Sequence, residues 1–264
     1  MKERIITAII AAAIFLPIVT LGELPFLILV YAMATIGLFE LIRMKKIALF
    51  SFVSILSFIL LWLLLLPGEY AGFLDAIAYD KTHLVLWGVI LYLISTVVSK
   101  NKFTFDDAGF LLLSVLYVGM GFFYLYETRE SAGLMYIIFA LFTIWATDSG
   151  AYFVGRSLGK RKLWPEISPN KTVEGFFGGI ASAVIVGLLF HLLSNIELTF
   201  VRLMFVSIVI SIFGQLGDLV QSAYKRHYGV KDSGKLLPGH GGILDRLDSL
   251  IFILPILHFL HLIG

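Results

Sequence analysis

The sequence predicts an all-α polytopic membrane protein of about nine transmembrane helices, with its N-terminus inside and its C-terminus outside. Hydrophobic residues make up 59% of the 264 residues and charged residues only 14%, whereas about a quarter of a typical soluble domain is charged. Long apolar runs recur along the chain, and runs of about 18 residues or more are typical of membrane-spanning helices. The 24 glycines suit membrane helices, in which small residues let neighbouring backbones approach closely.

The apolar runs divide the chain into two regions. An N-terminal region, residues 1–130, holds the first five predicted spans, at residues 5–22, 24–42, 47–66, 84–99 and 108–126. A C-terminal region, residues 131–264, holds the other four, at residues 133–154, 174–194, 200–222 and 243–262. The first run resembles a signal peptide, but it is long and lacks an obvious small-residue cleavage site, so we expect it to be retained as a span.

The distribution of lysine and arginine predicts the orientation, because cytoplasmic loops carry an excess of both. With the N-terminus inside, all but three of the 20 basic residues fall in inner segments, the exceptions being Lys81, Arg129 and Arg202. The two longest inner loops, about 155–173 and 223–242, are rich in basic residues. We therefore expect both loops on the cytoplasmic face and the segment around Tyr79 outside.

Composition also excludes several kinds of site. The chain has no cysteine, which excludes disulfides, zinc–thiolate sites and cysteine nucleophiles. Its net charge of +2 gives no indication of a nucleic-acid partner. Because the sequence predicts no soluble domain, we expect any chemistry to use the inner loops and the span ends beside them.

Two acidic residues inside predicted spans are the first candidates for function, because a charge buried in lipid is costly and usually functional. Asp148 and Asp218 each lie about two turns before the inner end of a span. Each is followed eight residues later by an arginine, Arg156 or Arg226. We expect both aspartates to share one polar site. The alternative is a hydrogen bond between packed helices.

The last span begins with two further aspartates, Asp245 and Asp248, whose spacing of three residues places them on one helix face. They are also compatible with ordinary acidic residues of a first helical turn, where the helix dipole favours negative charge. Together with Asp218 they would repel one another strongly unless a cation held them. We predict that Asp218, Asp245 and Asp248 bind Mg²⁺ or Mn²⁺, which prefer oxygen ligands, with room for a second cation.

Basic residues and glycines surround these acids and indicate an anion site. The second loop and its borders carry Lys225, Arg226, Lys231, Lys235, His240 and Arg246. Gly241 and Gly242 allow backbone N–H groups to point at an anion, next to the positive end of a helix. The positive-inside bias alone would also produce basic loops, but it does not explain the interleaved glycines. Carboxylates for metal with cations for phosphate indicate phosphoryl or nucleotidyl transfer.

Residues 222–248, "SAYKRHYGVKDSGKLLPGHGGILDRLD", resemble the signature of the phosphatidate cytidylyltransferases, or CDP-diacylglycerol synthases. That signature runs Ser, two residues, Lys-Arg, four residues, Lys-Asp, then a small residue, Pro, His-Gly-Gly and Asp-Arg-x-Asp. Tyr224 departs from it, because an aliphatic residue or Phe is expected there. The stretch that begins at Asp148, "DSGAYFVGRSLGKRKLWPEISPNKTVEGFFGG", is also similar to the family, so the likeness covers about residues 145–250.

The resemblance implies a Mg²⁺-dependent reaction in which CTP and phosphatidic acid give CDP-diacylglycerol and pyrophosphate for phospholipid biosynthesis. It implies an integral protein of the bacterial cytoplasmic (inner) membrane, with its active site facing the cytoplasm, and a homodimer. The catalytic residues would be Asp218, Asp245, Asp248, Lys225 and Arg226. The substrate-binding residues would be Lys171, Lys231, Asp232, His240, Gly241, Gly242 and Arg246.

Two other classes remain as alternatives. One is a related membrane enzyme, such as a CTP-using polyprenol kinase or an ether-lipid cytidylyltransferase. The other is an ion-coupled transporter that uses Asp148 and Asp218, although a transporter site is expected near the membrane midplane rather than at its inner surface. The motif of the CDP-alcohol phosphotransferases, Asp-Gly-x-x-Ala-Arg, is absent from the sequence.

Overall fold

The computed structural model describes residues 2–70, 72 and 80–263, with side chains from residue 6 onward. Nine α-helices have their bounds within these residues: α1 Lys2–Leu21, α2 Glu23–Met44, α3 Phe52–Leu65, α4 Lys81–Val98, α5 Phe105–Glu127, α6 Leu134–Leu158, α7 Val173–Leu193, α8 Phe200–His227 and α9 Leu244–Phe259. A two-stranded antiparallel sheet joins α6 to α7, with strands β1 Lys162–Trp164 and β2 Ser168–Thr172. Two short turns complete the described elements, a 3₁₀ turn at Gly68–Tyr70 and a π turn at Thr128–Ala132.

The prediction of an all-α membrane protein is confirmed. Within the described residues, six helices are long and apolar enough to cross a membrane, namely α2, α4, α5, α6, α7 and α8. The apolar segments Ile6–Leu21 and Phe52–Leu65 are shorter, and α9 has 16 residues, against about 20 for a typical span. The nine helices occupy the places of the nine predicted spans, whereas nine crossings and the predicted orientation stay predictions.

Polar residues at the helix starts explain where several helices begin. At α5, the Thr104 hydroxyl accepts the Asp107 N–H at 3.1 Å, and the Asp107 carboxylate accepts the Thr104 N–H at 3.0 Å. At α7, the Thr172 hydroxyl accepts the Gly175 N–H at 3.1 Å. Such caps satisfy N–H groups that lack a partner within the helix and contribute about 1 kcal/mol each.

Helix α5 connects the N-terminal helices to α9. It packs against α2, α3 and α9, and its Val118 and Phe122 are fully buried. A Cβ atom at Gly121 would lie 2.5 Å from the Cβ of Ile251, so glycine is needed for the close approach of α5 to α9. The two regions predicted from the sequence are therefore in direct contact, and their division at residue 130 stays a prediction.

Small residues also bring α6 and α7 together beside the β-hairpin. A Cβ at Gly178 would overlap Val154, at 2.5 Å from its Cβ, and a Cβ at Gly175 would lie 2.7 Å from the carbonyl oxygen of Ala151. The α6–α7 pair packs in turn against α8. This close packing holds the hairpin against the ends of three helices.

The predicted orientation can be tested by cysteine labelling, since the native chain has no cysteine to remove. We expect Lys162→Cys and Lys235→Cys to react with a membrane-impermeant maleimide only from the cytoplasmic side. Asn195→Cys, on the exposed connection between α7 and α8, should react only from the outside. Asn195 serves as the outer marker because Tyr79 lies outside the described residues. Labelling of position 235 from the outside would contradict the orientation.

Candidate active site

A cavity of about 600 Å³ lies where the ends of α6, α7 and α8 meet the β-hairpin. Its polar lining comes from all of these elements and includes Asp148, Arg156, Asn170, Lys171, Gln215 and Asp218. Aromatic side chains, Tyr152 and Phe176, contribute to the same wall. A cavity with charged residues of both signs can bind a charged ligand in a defined orientation.

Lys171 and Asp218 form an ion pair across this cavity, with Nζ and Oδ2 2.5 Å apart. Lys171 lies on β2, one residue before the Thr172 cap of α7, so the hairpin fixes its backbone. Asp148 lines the same cavity, repels Asp218 and attracts Lys171 electrostatically. The prediction that Asp148 and Asp218 belong to one polar site is therefore confirmed.

Asp248 is a third carboxylate in this group. It is buried on α9 and repels both Asp218 and Asp148 electrostatically. The next residue ties α9 to α8, because the Ser249 hydroxyl donates to the carbonyl oxygen of Gly214 at 2.9 Å. Three mutually repelling carboxylates with Lys171 beside them make this part of the site negative, and so favourable for a cation.

Asp245 is held differently. Its Oδ1 binds the Lys225 ammonium at 2.7 Å, and its Oδ2 accepts the N–H of Ser233 at 2.7 Å, the Ser233 hydroxyl at 3.0 Å and the N–H of Gly242 at 2.9 Å. A carboxylate offers about four lone-pair positions, so Asp245 has little capacity left for a metal ion. Among the residues that the structure describes, no three acidic or histidine side chains converge as a metal site. The predicted trio of Asp218, Asp245 and Asp248 is not brought together here.

The start of α9 is occupied by carboxylates of the protein itself. The N–H groups of Ile243 and Leu244 donate to Glu40 on α2, at 2.8 and 3.1 Å, while Gly242 donates to Asp245. Gly241 donates to the carbonyl oxygen of Leu237 within a tight turn. These N–H groups therefore have acceptors within the protein, and the binding of a phosphate by Gly241, Gly242 and the α9 N-terminus stays a prediction.

Glu40 is not among the site residues predicted from the sequence. In the structure it is a buried acid, with only 2% of its surface exposed. One signal was present, because Glu40 is an isolated acid within the apolar helix α2. Its position near Arg43, at the basic end of the span, made it resemble an ordinary boundary charge. Its partners lie about 200 residues further along the chain, so only the tertiary structure identifies its role.

The remaining predicted residues lie on the loop between α8 and α9 or next to it. Arg226 donates from Nε to the carbonyl oxygen of Ile167 at 3.3 Å, which connects α8 to the hairpin turn. Arg246 donates to the carbonyl oxygen of His240 at 2.9 Å, and Nδ1 of His240 is buried without a hydrogen-bond partner among the described residues. Lys231 and Asp232 are exposed. Of the predicted site residues, Lys171 and Asp218 therefore line the cavity, and Asp248 interacts with Asp218. The others lie on the loop between α8 and α9 or at the helix ends beside it.

The fold and the cavity define an integral membrane protein with a charged site at the ends of its helices. The sequence profile of the cytidylyltransferase family matches residues 2–263, and the chain belongs to this family of enzymes.

Curated relatives agree with this assignment. A protein of Bacillus subtilis (strain 168) named phosphatidate cytidylyltransferase is 54% identical to this chain over 262 residues, which cover 98% of this chain and 97% of the relative. The corresponding protein of Staphylococcus epidermidis (strain ATCC 12228 / FDA PCI 1200) is 50% identical and that of Staphylococcus aureus (strain COL) 47% identical, each over 260 residues and 98% of both chains. The resemblance carried by residues 222–248 is confirmed and extends over nearly the whole chain.

Proposed function

We propose that this protein transfers the cytidylyl group of CTP to phosphatidic acid, giving CDP-diacylglycerol and pyrophosphate at the cytoplasmic face of a bacterial inner membrane. The observation that carries the proposal is the cavity in which Lys171, Asp218 and Asp148 meet at the ends of three helices. The relatives' shared name supports the choice of substrates.

Access to the cavity suits one substrate from water and one from the bilayer. Arg156, Lys171 and Asn170 provide cationic and hydrogen-bonding groups for phosphate oxygens in the cavity wall. On α6 and α7 themselves, Phe153 and Phe177 are 67% and 63% exposed, as expected of side chains that face acyl chains. A phosphatidate molecule can therefore place its phosphate in the cavity while its acyl chains stay in the membrane.

The proposed reaction needs no strong general base, because the attacking phosphate oxygen of phosphatidate is already anionic. This oxygen forms a bond to the α-phosphorus of CTP. The bond between the α-phosphorus and the oxygen that bridges to the β-phosphorus breaks, and pyrophosphate leaves. Catalysis then depends on aligning two anions and offsetting their charge. Lys171 and Arg156 are placed to do this on the cavity side, where each can bind a phosphate oxygen.

Two of the three predicted metal ligands, Asp218 and Asp248, are suited to bind a divalent cation. Mg²⁺ in such enzymes is typically held by one or two carboxylates together with substrate phosphates, and Asp218 and Asp248 provide two carboxylates close enough to repel each other. Asp245 does not fit, because its oxygens are occupied by Lys225, Ser233 and Gly242. When bound, the cation would offset the charge of the transferring and leaving phosphates. A second cation and a homodimer stay predictions.

The test is an assay of the purified protein with labelled CTP, Mg²⁺ and one lipid acceptor at a time. We expect labelled CDP-lipid with phosphatidic acid and no product with diacylglycerol or a polyprenol. Transfer of the γ-phosphate to a polyprenol would instead identify a CTP-using kinase. Release of pyrophosphate only with an ether-linked phosphatidate would identify an ether-lipid cytidylyltransferase. No reaction of CTP with any acceptor would contradict the proposed enzyme class and leave the ion-coupled transporter.

A further inference from the structure

We infer that Glu40 is a positioning residue for this reaction, because it fixes the start of α9 and through it the place of Asp248 beside Asp218. The inference rests on the proposed function, which uses Asp248 together with Asp218. Glu40 itself lies on α2 and is absent from the cavity lining among the described residues. Its effect on the reaction would therefore act through α9.

Glu40 uses both carboxylate oxygens to hold the loop–helix junction. Oε1 accepts the Ile243 N–H at 2.8 Å, and Oε2 accepts the Leu244 N–H at 3.1 Å and the Ser233 hydroxyl at 2.7 Å. Hydrogen bonds to an ionised acceptor are shorter and stronger than those between neutral groups. The side chain is almost fully buried, so water cannot easily replace it as the acceptor.

Two glycines of the signature motif make room for this carboxylate. A Cβ at Gly234 would lie 2.5 Å from Oε1 of Glu40, and a Cβ at Gly242 would overlap both carboxylate oxygens. Any side chain at either position would push the loop away from α2. This gives Gly234 and Gly242 a structural reason that does not involve a bound phosphate.

Glu40 and Asp245 divide the donors at the start of α9 between them. Gly242 donates to Asp245, whereas Ile243 and Leu244 donate to Glu40. The Ser233 hydroxyl lies between the two carboxylates, 2.7 Å from Glu40 and 3.0 Å from Asp245. It has one proton and can donate to only one of them at a time. The junction is therefore fixed from both sides, by α2 and by the Lys225–Asp245 pair.

The position of Asp248 depends on this junction because Asp248 lies one helical turn after Leu244. If the register of α9 shifted by one residue against its neighbours, each of its side chains would move by about 1.5 Å along the axis and about 100° around it. Misplacement of about 1 Å at a reacting centre can lower the rate by roughly a hundredfold. Loss of the Glu40 contacts is therefore expected to act on turnover from outside the cavity.

The test compares Glu40→Gln with the wild-type protein. The carboxamide has the same size but only one acceptor oxygen, so the three donors can no longer all be satisfied. We expect kcat to fall by about 10- to 100-fold and the KM for CTP to change less than about threefold. The Mg²⁺ concentration for half-maximal activity should rise by about threefold or more, because Asp248 is displaced; a smaller folded fraction would leave that concentration unchanged. Glu40→Asp, which keeps the charge, should recover part of kcat.

Hydrogen exchange measures the same contacts without any substrate or metal. We expect the amides of Ile243 and Leu244 to exchange about tenfold faster or more in Glu40→Gln. Glu130→Gln is the matched control, because the Glu130 carboxylate also accepts one helix-start N–H, that of Glu23, at 2.9 Å. It should speed exchange at the start of α2 and leave kcat within about twofold.

Either of two results for Glu40→Gln would overturn the inference. Unchanged exchange at Ile243 and Leu244 would show that Glu40 does not hold the junction, and faster exchange with an unchanged kcat and Mg²⁺ requirement would show a cap without a role in the reaction.

If Glu40→Gln does not fold, Ser233→Ala removes a single hydrogen bond to Glu40, and it should show the same changes at smaller size; wild-type behaviour of this variant would overturn the inference. A wild-type protein that makes no CDP-diacylglycerol contradicts the proposed function instead, while exchange still decides whether Glu40 holds α9.

Discussion

Asp218→Asn is expected to lower the turnover of CTP and phosphatidate by about a thousandfold or more. The substitution keeps the shape of the side chain but removes the charge that binds Lys171 across the cavity. It also removes one of the two carboxylates that fit a divalent cation. Lys171 would lose the partner that orients it towards the substrates. The measurement is the rate of CDP-diacylglycerol formation by the purified variant in detergent.

Asp107→Asn is a matched control for this substitution. Asp107 also forms an ion pair with a lysine, Lys45, at 3.1 Å, and both side chains are about one-fifth exposed. Among the described residues, neither member of this pair lines the cavity. We therefore expect the loss of the pair to change turnover less than about threefold. If Asp218→Asn also stays within tenfold of the wild-type rate, Asp218 has no direct part in the reaction.

The fold was largely predictable because lipid limits what a membrane-spanning segment can be. Each predicted span corresponds to one helix of the structure, since backbone groups in a bilayer must find their partners within the helix. The region of residues 155–173 was predicted only as a loop, whereas it contains the β1–β2 hairpin. Strands of three and five residues produce too little periodicity to be seen in a sequence.

The site was predictable where an acidic residue lies inside an apolar span, because burying a charge in lipid is costly. Asp148 and Asp218 were expected to meet because each places a charge inside a span, and the structure confirms their shared cavity. The roles of Asp245 and Asp248 could not be separated, since a spacing of three residues places both on one helix face. Only the positions of Lys225 and Ser233 show that Asp245 belongs to the loop junction. Glu40 shows the same limit, because its partners are distant in the sequence.

Asp245→Asn is expected to destabilise the protein and Asp248→Asn is not, although both lower activity. In Asp245→Asn the largely buried Lys225, 16% exposed, loses its counter-charge, and breaking a buried ion pair from one side typically costs about 3–5 kcal/mol. We expect the unfolding temperature in detergent to fall by about 10 °C. The double variant Lys225→Gln with Asp245→Asn leaves no unpaired charge and should regain most of this loss.

Asp248→Asn should instead keep the wild-type unfolding temperature or raise it, because it removes a buried charge that Asp218 and Asp148 repel. Its turnover should still fall by about a hundredfold or more, since the site loses one of the two carboxylates that fit a cation. The required Mg²⁺ concentration should rise in this variant but not in the double variant of Lys225 and Asp245. Thermal unfolding, initial rates and a Mg²⁺ titration of the same preparations measure all three quantities. If Asp245→Asn is as stable as the wild type and needs more Mg²⁺, then Asp245 is a metal ligand and its bond to Lys225 must open during the reaction.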